Sequence, residues 1–189
     1  DMNCPLKIPR IEAYYLLNRW ENLGFKSFLD LGCGLGRHTV LFASNGFDTY
    51  GFDISSDGLN KTKEWLDSLG LNANLVEGDM LSLPYADELF DSILCRNVIS
   101  HQDTCGVKKI IGELKRVLKP GGECYLTLGS KSTWGFKQTS WPLLDENTRL
   151  RMEEGPEYKT PHFYADYDLI KVLFKDCLLY TSDAADDKA

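Results

Sequence analysis

The chain has 189 residues, 43% of them hydrophobic and 26% charged, ordinary values for a soluble globular protein with enough length for one well-filled core. A net charge of −7 argues against a broad basic surface for nucleic acid, and no apolar run approaches the length of a membrane span. The six cysteines are scattered, without a Cys-x-x-Cys pair or a histidine nearby at metal-ligand spacing, so no metal is expected and reduced thiols in a cytoplasmic protein are the simplest account.

The start, Asp1-Met2-Asn3-Cys4-Pro5, lacks a signal-peptide pattern and does not begin with methionine, so an incomplete N-terminus is one reading of it. Residues 9–23 read as a helix with Ile11, Tyr15, Leu16 and Trp20 as its buried stripe, closed by Gly24. A buried strand over 26–31 runs into Gly32-Cys33-Gly34-Leu35-Gly36-Arg37, and a helix over 37–45 stops at Gly46. The second strand, Thr49 to Asp53, leads through Ser55-Ser56-Asp57, a good N-cap cluster, into a helix over 57–69 that ends at Gly70. Residues 73–77 form a third strand and 90–96 a fourth. The next helix places Val107, Ile110, Ile111, Leu114, Val117 and Leu118 on one face, and Pro120-Gly121-Gly122 breaks it before a fifth strand over 123–129. Strands alternating with helices imply right-handed crossovers, and so a Rossmann-like, doubly wound α/β fold: a mostly parallel sheet in a three-layer α/β/α sandwich.

Residues 130–164 interrupt this rhythm with Trp134, Phe136, Trp141, Pro142, Pro156 and Pro161-His162-Phe163-Tyr164. Loops of this length are functional covers or disordered, and the aromatic density argues for a substrate-covering insertion. A last helix over about 166–175 turns Leu169, Ile170, Leu173 and Phe174 inward. From Cys177 onward the chain resembles a frame translation of a transposon-end sequencing adapter. The expectation is therefore a single domain over 1–176, followed by a non-native or disordered tail over 177–189 that stands in place of the native C-terminal segment.

The first strand ends in three glycines at alternate positions, with Asp30 two residues ahead of the first. Glycines serve where backbone turns sharply and lies close to a ligand. A carboxylate beside such a turn repels phosphate but suits a ligand that carries positive charge and donates hydrogen bonds. S-adenosylmethionine, with its sulfonium and ammonium groups, is such a ligand. In open α/β sheets ligands bind beyond the carboxyl ends of the strands, where strand order reverses. There the second strand ends in Asp53, 21 residues after Gly32 and spaced to grip two ribose hydroxyls, with Ile54 beside it. The third strand ends in Asp79, suited to an adenine amino group, and Met80, suited to the ring face. Beyond the fourth strand Arg96-Asn97-Val98-Ile99-Ser100-His101 line the reactive end. Each aspartate also has a plainer reading as a turn or strand-end cap, but three together favour a ligand. Asp91 reads as structural, Cys33, Cys95 and Cys124 as small packing residues, and Arg116 as a surface or salt-bridge residue.

Five motifs in order carry a wider resemblance: the Asp30–Gly36 loop, Gly51-Phe52-Asp53, Gly78-Asp79-Met80, Phe90-Asp91-Ser92-Ile93, and Leu114 through Gly122. Across nearly all of residues 10–176 the chain resembles the class I S-adenosylmethionine-dependent methyltransferases. The resemblance implies that Asp30, Gly32 and Gly34 surround the methionine part, with Cys33 and Gly36 in the same loop. It implies that Asp53 holds the ribose next to Ile54, that Asp79 and Met80 hold the adenine, and that Arg96 and Asn97 complete the cofactor site. It also implies strand order 3-2-1-4-5-7-6 with an antiparallel last strand, of which no final pair is recognisable here.

The acceptor is written less clearly. His101 lies just past the fourth strand, and His162 and Tyr164 lie in the aromatic insertion; these three are the expected acceptor contacts, with either histidine a candidate base. Transfer from a sulfonium is an in-line displacement that needs alignment and exclusion of water, so neither a nucleophile nor a metal is required. The expected function is methyl transfer to a small-molecule N, O or S acceptor, without nucleic-acid or membrane partners and with the oligomeric state unassigned. A non-catalytic S-adenosylmethionine-binding protein is the alternative. A nicotinamide-dependent oxidoreductase would want glycine at Arg37 and no acid at Asp30. A DNA amino-methyltransferase would carry a Pro-Pro-Tyr-type run where Arg96-Asn97-Val98 stands.

Overall fold

Ser27–Leu31 (β1) is buried at every residue, polar Ser27 and Asp30 included, as the central strand of a sheet covered on both faces is. It pairs in parallel with Asp48–Asp53 (β2) on one side and Phe90–Cys95 (β4) on the other. Asn74–Glu77 (β3) adds to β2 and Leu118–Leu126 (β5) to β4, giving a five-stranded parallel sheet in the order β3-β2-β1-β4-β5. Strand order reverses between β1 and β4, so their carboxyl ends bound the crevice where such sheets bind ligands. The connecting helices are Arg37–Ser44 (α2), Ser56–Ser68 (α3) and Thr104–Val117 (α4), and Ile11–Asn22 (α1) precedes the sheet. This computed structural model describes residues 7–179; the proposed tail from residue 180 onward lies outside the described residues.

The described chain forms two compact units: one takes the chain up to Val98 together with Gly112–Leu126, the other Ile99–Ile111 together with the chain from Thr127. The first unit contains the parallel sheet. Its core packs Leu16, Leu17 and Trp20 of α1 against Phe28, Phe42, Phe47 and Leu94, with the Phe28 and Phe42 rings stacked at 3.7 Å. The buried stripe of α1 is Ala13, Leu16, Leu17 and Trp20, whereas Ile11 is 80% and Tyr15 66% exposed. Spacing of three, one and three residues is the helical face; the bulk of Ile11 and Tyr15 misdirects the sequence reading, and small Ala13 goes unnoticed. Trp20 Nε1 donates to Glu123 Oε2 at 2.9 Å, which ties α1 to β5.

The fifth strand differs from expectation. Its ladder begins at Leu118 opposite Phe90, then jumps to Glu123 opposite Ser92 and ends at Leu126. Pro120-Gly121-Gly122 therefore forms an irregularity within β5, and a Cβ on Gly122 would lie 2.8 Å from the Asp91 carbonyl oxygen. The structural reading of Asp91 holds: Oδ2 accepts from Lys26 N, Ser27 N and Ser27 Oγ, each at 2.9 Å, and Lys119 Nζ donates to Oδ1 at 2.8 Å. Burial raises its pKa, but these donors outweigh burial and hold the carboxyl well below the usual range. Arg116 bridges Glu113, Asp87 and the carbonyl oxygens of Leu83 and Tyr85.

The second unit corrects the reading of residues 130–164 as a long loop. Gly129–Ser130 (β6), Leu143–Asp145 (β7), Thr148–Leu150 (β8) and Pro161–Ala165 (β9) form a sheet in the order β6-β9-β8-β7, and Trp134–Lys137 (α5) adds one turn of helix. Three-residue strands are too short for alternation to be visible in sequence. Their turn is held by Asp145, which accepts from Asn147 N at 2.8 Å and from Thr104 N at 2.9 Å. Tyr167–Leu173 (α6) follows, N-capped by Asp166 through Leu169 N at 2.9 Å. No described helix is long and apolar enough to cross a membrane.

Candidate active site

The glycine loop spends its backbone donors on the end of β2. Gly32 N and Cys33 N both donate to the Phe52 carbonyl oxygen, at 2.7 and 3.1 Å, and Gly34 N donates to Asp53 Oδ2 at 2.7 Å. Gly36 N closes the turn on the Cys33 carbonyl oxygen at 2.9 Å. Gly32 sits at φ +75° with Val98 packed on it, and a Cβ there would lie 2.3 Å from Val98 Cγ2. Gly34, at φ +55°, faces open space within 4 Å. The turn thus needs glycine at both positions, at Gly32 for packing as well as backbone and at Gly34 for backbone alone. A pyrophosphate site needs these amides free, so the loop is built for another kind of ligand.

Asp30 is buried, and its Oδ2 accepts from Thr39 N at 2.9 Å and from Thr39 Oγ1 at 2.7 Å. The carboxylate therefore occupies the first turn of α2, the place an anionic ligand would otherwise take. Burial pushes its pKa up to about 6 against the pull of Thr39 and Arg37. The plainer reading of Asp30 as a cap is satisfied by Oδ2, while Oδ1 lies 3.9 Å from His38 Nδ1. Cys33 is buried, and burial followed by Asp30 and Asp53 pushes its thiol far above the usual range, so it packs rather than reacts.

The other strand ends gather in the same unit. Asp53 takes Gly34 N on Oδ2 and Ser55 N on Oδ1 at 2.8 Å, which leaves each oxygen a further lone pair. Ile54 beside it is 71% exposed, an aliphatic surface at the sheet's carboxyl edge. Asp79 is exposed and accepts from Leu81 N at 2.9 Å through Oδ1, with half-buried Met80 next to it. Asn97 is exposed at φ +57°, a backbone conformation that asparagine tolerates better than most residues.

Arg96, expected in the cofactor site, has basic neighbours that the motifs did not mark, Arg10, Arg37 and His38. Arg96 is half-buried, its Nε is buried without a hydrogen-bond partner, and Nη2 lies 4.0 Å from Glu12 Oε1. Burial and then the Arg10 and Arg96 guanidiniums lower the Arg37 pKa. Burial and then Arg37, Arg96 and Arg10 push His38 down to about 4, and its Nε2 has no partner. Two half-buried guanidiniums, Arg37 and Arg96, one of them with an unfilled donor, can accept an anion such as an amino-acid carboxylate. The signal in the sequence was Arg37-His38 directly after the last loop glycine.

In the second unit, His101 on the helical turn Ile99–His101 and His162 on β9 come together with ring centroids 5.1 Å apart. Glu157, absent from the sequence reading, joins them: Oε1 lies 3.6 Å from His101 Nε2, and Oε2 lies 3.2 Å from His162 Nε2. Arg151 also pairs with Glu157 Oε2. Tyr164 is buried against Phe136 at 5.4 Å between ring centroids. No local pattern distinguishes Glu157 within the acidic run it shares with Glu153 and Glu154.

Residues 28–122 match the model of a family described as a methyltransferase domain. The chain is 33% identical over 162 residues to an uncharacterized methyltransferase of Synechocystis sp., covering 77% of this chain and 74% of that protein. It is 33% identical over 119 residues to a demethylmenaquinone methyltransferase of Bacillus mycoides, covering 58% of this chain and 48% of that protein. A solved S-adenosylmethionine-dependent methyltransferase from Methanosarcina mazei superposes with a TM-score of 0.64 at 27% identity, over 80% of this chain and 78% of that one. The chain spans 49% of the first curated relative it matches and 42% of the second. It belongs to this methyltransferase-domain family and has the class I S-adenosylmethionine-dependent methyltransferase fold.

Proposed function

We propose that this chain transfers a methyl group from S-adenosylmethionine to a small-molecule N, O or S acceptor. The observation that carries the donor half is the Asp53–Gly34 link. It joins a carboxylate with spare lone pairs to an open-faced glycine turn at the carboxyl edge of β1 and β2. When bound, S-adenosylmethionine supplies an electrophilic methyl group on a sulfonium.

The residues fit that ligand part by part. Asp53 is assigned the ribose hydroxyls, with Ile54 covering one side, and Asp79 and Met80 are assigned the adenine. Gly32, Gly34 and Gly36 are assigned the methionine part, with Gly34 giving it a backbone surface open within 4 Å, and buried Asp30 supplies negative potential beneath it. Arg96, with an unpartnered Nε, is assigned the methionine carboxylate, and Asn97 the adjoining edge. Positioning and exclusion of water are the work the protein must do for an in-line displacement.

On the acceptor side, His101, His162 and Tyr164 are proposed contacts. A histidine base is needed only for an acceptor that arrives protonated. The Bacillus mycoides relative, named for a small-molecule acceptor, supports that class here.

Calorimetric titration of the full chain with S-adenosylmethionine and S-adenosylhomocysteine tests the donor half. Saturable binding that Asp53→Ala weakens supports it, and equal affinity in that variant overturns it. Incubation with labelled donor and metabolite extracts tests the acceptor half. Release of S-adenosylhomocysteine that depends on the extract identifies an enzyme, and donor binding with no turnover against any extract supports the non-catalytic alternative instead.

A further inference from the structure

We propose that His101, Glu157 and His162 form a binding site for a divalent transition-metal ion, with zinc as the ion that their donors suit best. The three residues offer two imidazole nitrogens and one carboxylate oxygen, all within 4.8 Å of one another. Zinc bonds to histidine nitrogen and carboxylate oxygen are about 2.0–2.2 Å, so two ligand atoms on one tetrahedral ion sit roughly 3.3 Å apart. The His101 Nε2 to Glu157 Oε1 distance of 3.6 Å and the His162 Nε2 to Glu157 Oε2 distance of 3.2 Å already approach that value. Two histidines and one carboxylate are a donor set for zinc or ferrous iron and leave positions for water or a small-molecule heteroatom.

The orientation of His162 is the second observation. Its Nδ1 lies 3.1 Å from the Thr160 carbonyl oxygen, a group that can only accept, so Nδ1 carries the proton. In the neutral ring Nε2 is then an acceptor, and it points at a carboxylate oxygen. Two acceptors at that distance need a cation or a further proton between them. A backbone carbonyl that fixes the tautomer and aims the free nitrogen is the usual support of a metal-binding histidine.

The scaffold around the three donors is tied down. His162 lies within β9, paired with Arg149 on β8. The turn that carries Glu157 is closed by Arg151 N to the Thr160 carbonyl oxygen at 3.0 Å and Lys159 N to the Arg151 carbonyl oxygen at 2.8 Å. Arg151 pairs with Glu157 Oε2 and, through Nη2, with Glu153 at 2.7 Å. Arg151 takes one lone pair of Oε2, which leaves Oε1 on the side of His101 and the second lone pair of Oε2 on the side of His162 for the ion, while Arg151 holds the carboxylate in place. The expectation of no metal rested on spacing along the chain, and these donors stand 56 and 5 residues apart. The site lies within one compact unit and shares His101 and His162 with the proposed acceptor contacts, and its test reads metal binding without any methyl transfer.

Zinc titration of the full, metal-stripped chain by calorimetry tests this, together with cobalt as a spectroscopic probe. Saturable one-to-one binding is expected. The cobalt complex should show visible ligand-field bands without the near-ultraviolet thiolate band that cysteine ligation would give. His101→Ala, Glu157→Gln and His162→Ala should each weaken binding about tenfold or more. Zinc should raise the melting temperature of the parent chain and not that of Glu157→Gln, a variant close in shape that preserves the fold. Binding only at millimolar zinc, a thiolate band, or unchanged affinity in all three variants would overturn the proposal and leave a proton-shared His–Glu–His cluster.

Discussion

Asp53 Oδ2 accepts a hydrogen bond from Gly34 N at 2.7 Å, while Oδ1 accepts from Ser55 N at 2.8 Å. One side chain at the end of β2 thereby sets the shape of the glycine turn that follows β1 and the start of the segment leading to α3. The proposed ribose contact would therefore couple cofactor binding to local order through that carboxylate.

Asp53→Ala is expected to lose on both counts. Removing the acceptor leaves two amides unpaired, a cost of about 1–3 kcal/mol in chemical denaturation. S-adenosylmethionine affinity should fall about tenfold or more, or roughly 1.4 kcal/mol, by calorimetry. Asp53→Asn retains one acceptor and should fall between the two. Full stability with lost affinity would show that the link to Gly34 does not hold the turn.

Gly32 and Gly34 should respond differently to the same change. Gly32→Ala forces both a left-handed alanine and a clash with Val98, and should cost about 2–4 kcal/mol. Adding Val98→Ala should recover part of that loss. Gly34→Ala meets no neighbour and should cost only about 1–2 kcal/mol, yet it places a methyl group on the open face and should weaken cofactor binding in a folded protein. Thermal melts and calorimetry on the three variants separate the effects.

Asp30 predicts a pH dependence with a defined sign. Its folded pKa is raised from 3.8 to about 6, so the folded state holds the proton more tightly than the unfolded chain. The stability this contributes is fully present below pH 3.8 and is lost as pH rises through 6. Asp30→Asn, which keeps an acceptor for Thr39, removes the effect. The difference in unfolding free energy between variant and parent should therefore shift in the variant's favour, by on the order of 3 kcal/mol, between pH 4 and 7. Parallel curves across that window would show that Asp30 does not titrate there.

Asp91→Ala is expected to behave as a purely structural change. It removes the acceptor of Lys26 N and Ser27 N and one of the two acceptors of Ser27 Oγ and of Lys119 Nζ, at the amino end of the sheet. The cost should be about 2–4 kcal/mol, with cofactor affinity unchanged where the protein remains folded. Denaturation curves read the first effect and calorimetry the second.

Much of the first unit was legible in the chain itself, because the information is local. β1 reads as a buried strand from Phe28, Leu29 and Leu31 around the single charged residue Asp30, and the left-handed turns after it demand glycine. The order of strand, turn and helix then leaves a right-handed parallel sheet as the natural outcome. Asp30 near the end of β1, Asp53 at the end of β2 and Asp79 just after β3 are carried to one edge by topology alone. The exceptions are local as well: Ile11 and Tyr15 look like core and are exposed, because size is a weaker signal than helical phase.

What only the tertiary structure decided lies in contacts between residues far apart in sequence. The amides of Gly32, Cys33 and Gly34 are taken by Phe52 and Asp53, which no glycine count reveals and which argues against a phosphate ligand. Arg37 acquires its lowered pKa from burial and from the nearness of Arg10 and Arg96, which the chain separates from it by 27 and 59 residues. The short strands β6 to β9 exist because they pair with each other, not because their residues favour strands. Glu157 meets His101 and His162 through that pairing and the turn it closes. Local sequence determined the donor side, where each residue's place follows from the element it ends; only the fold assembled the histidine–glutamate cluster, because its members share no element and no spacing.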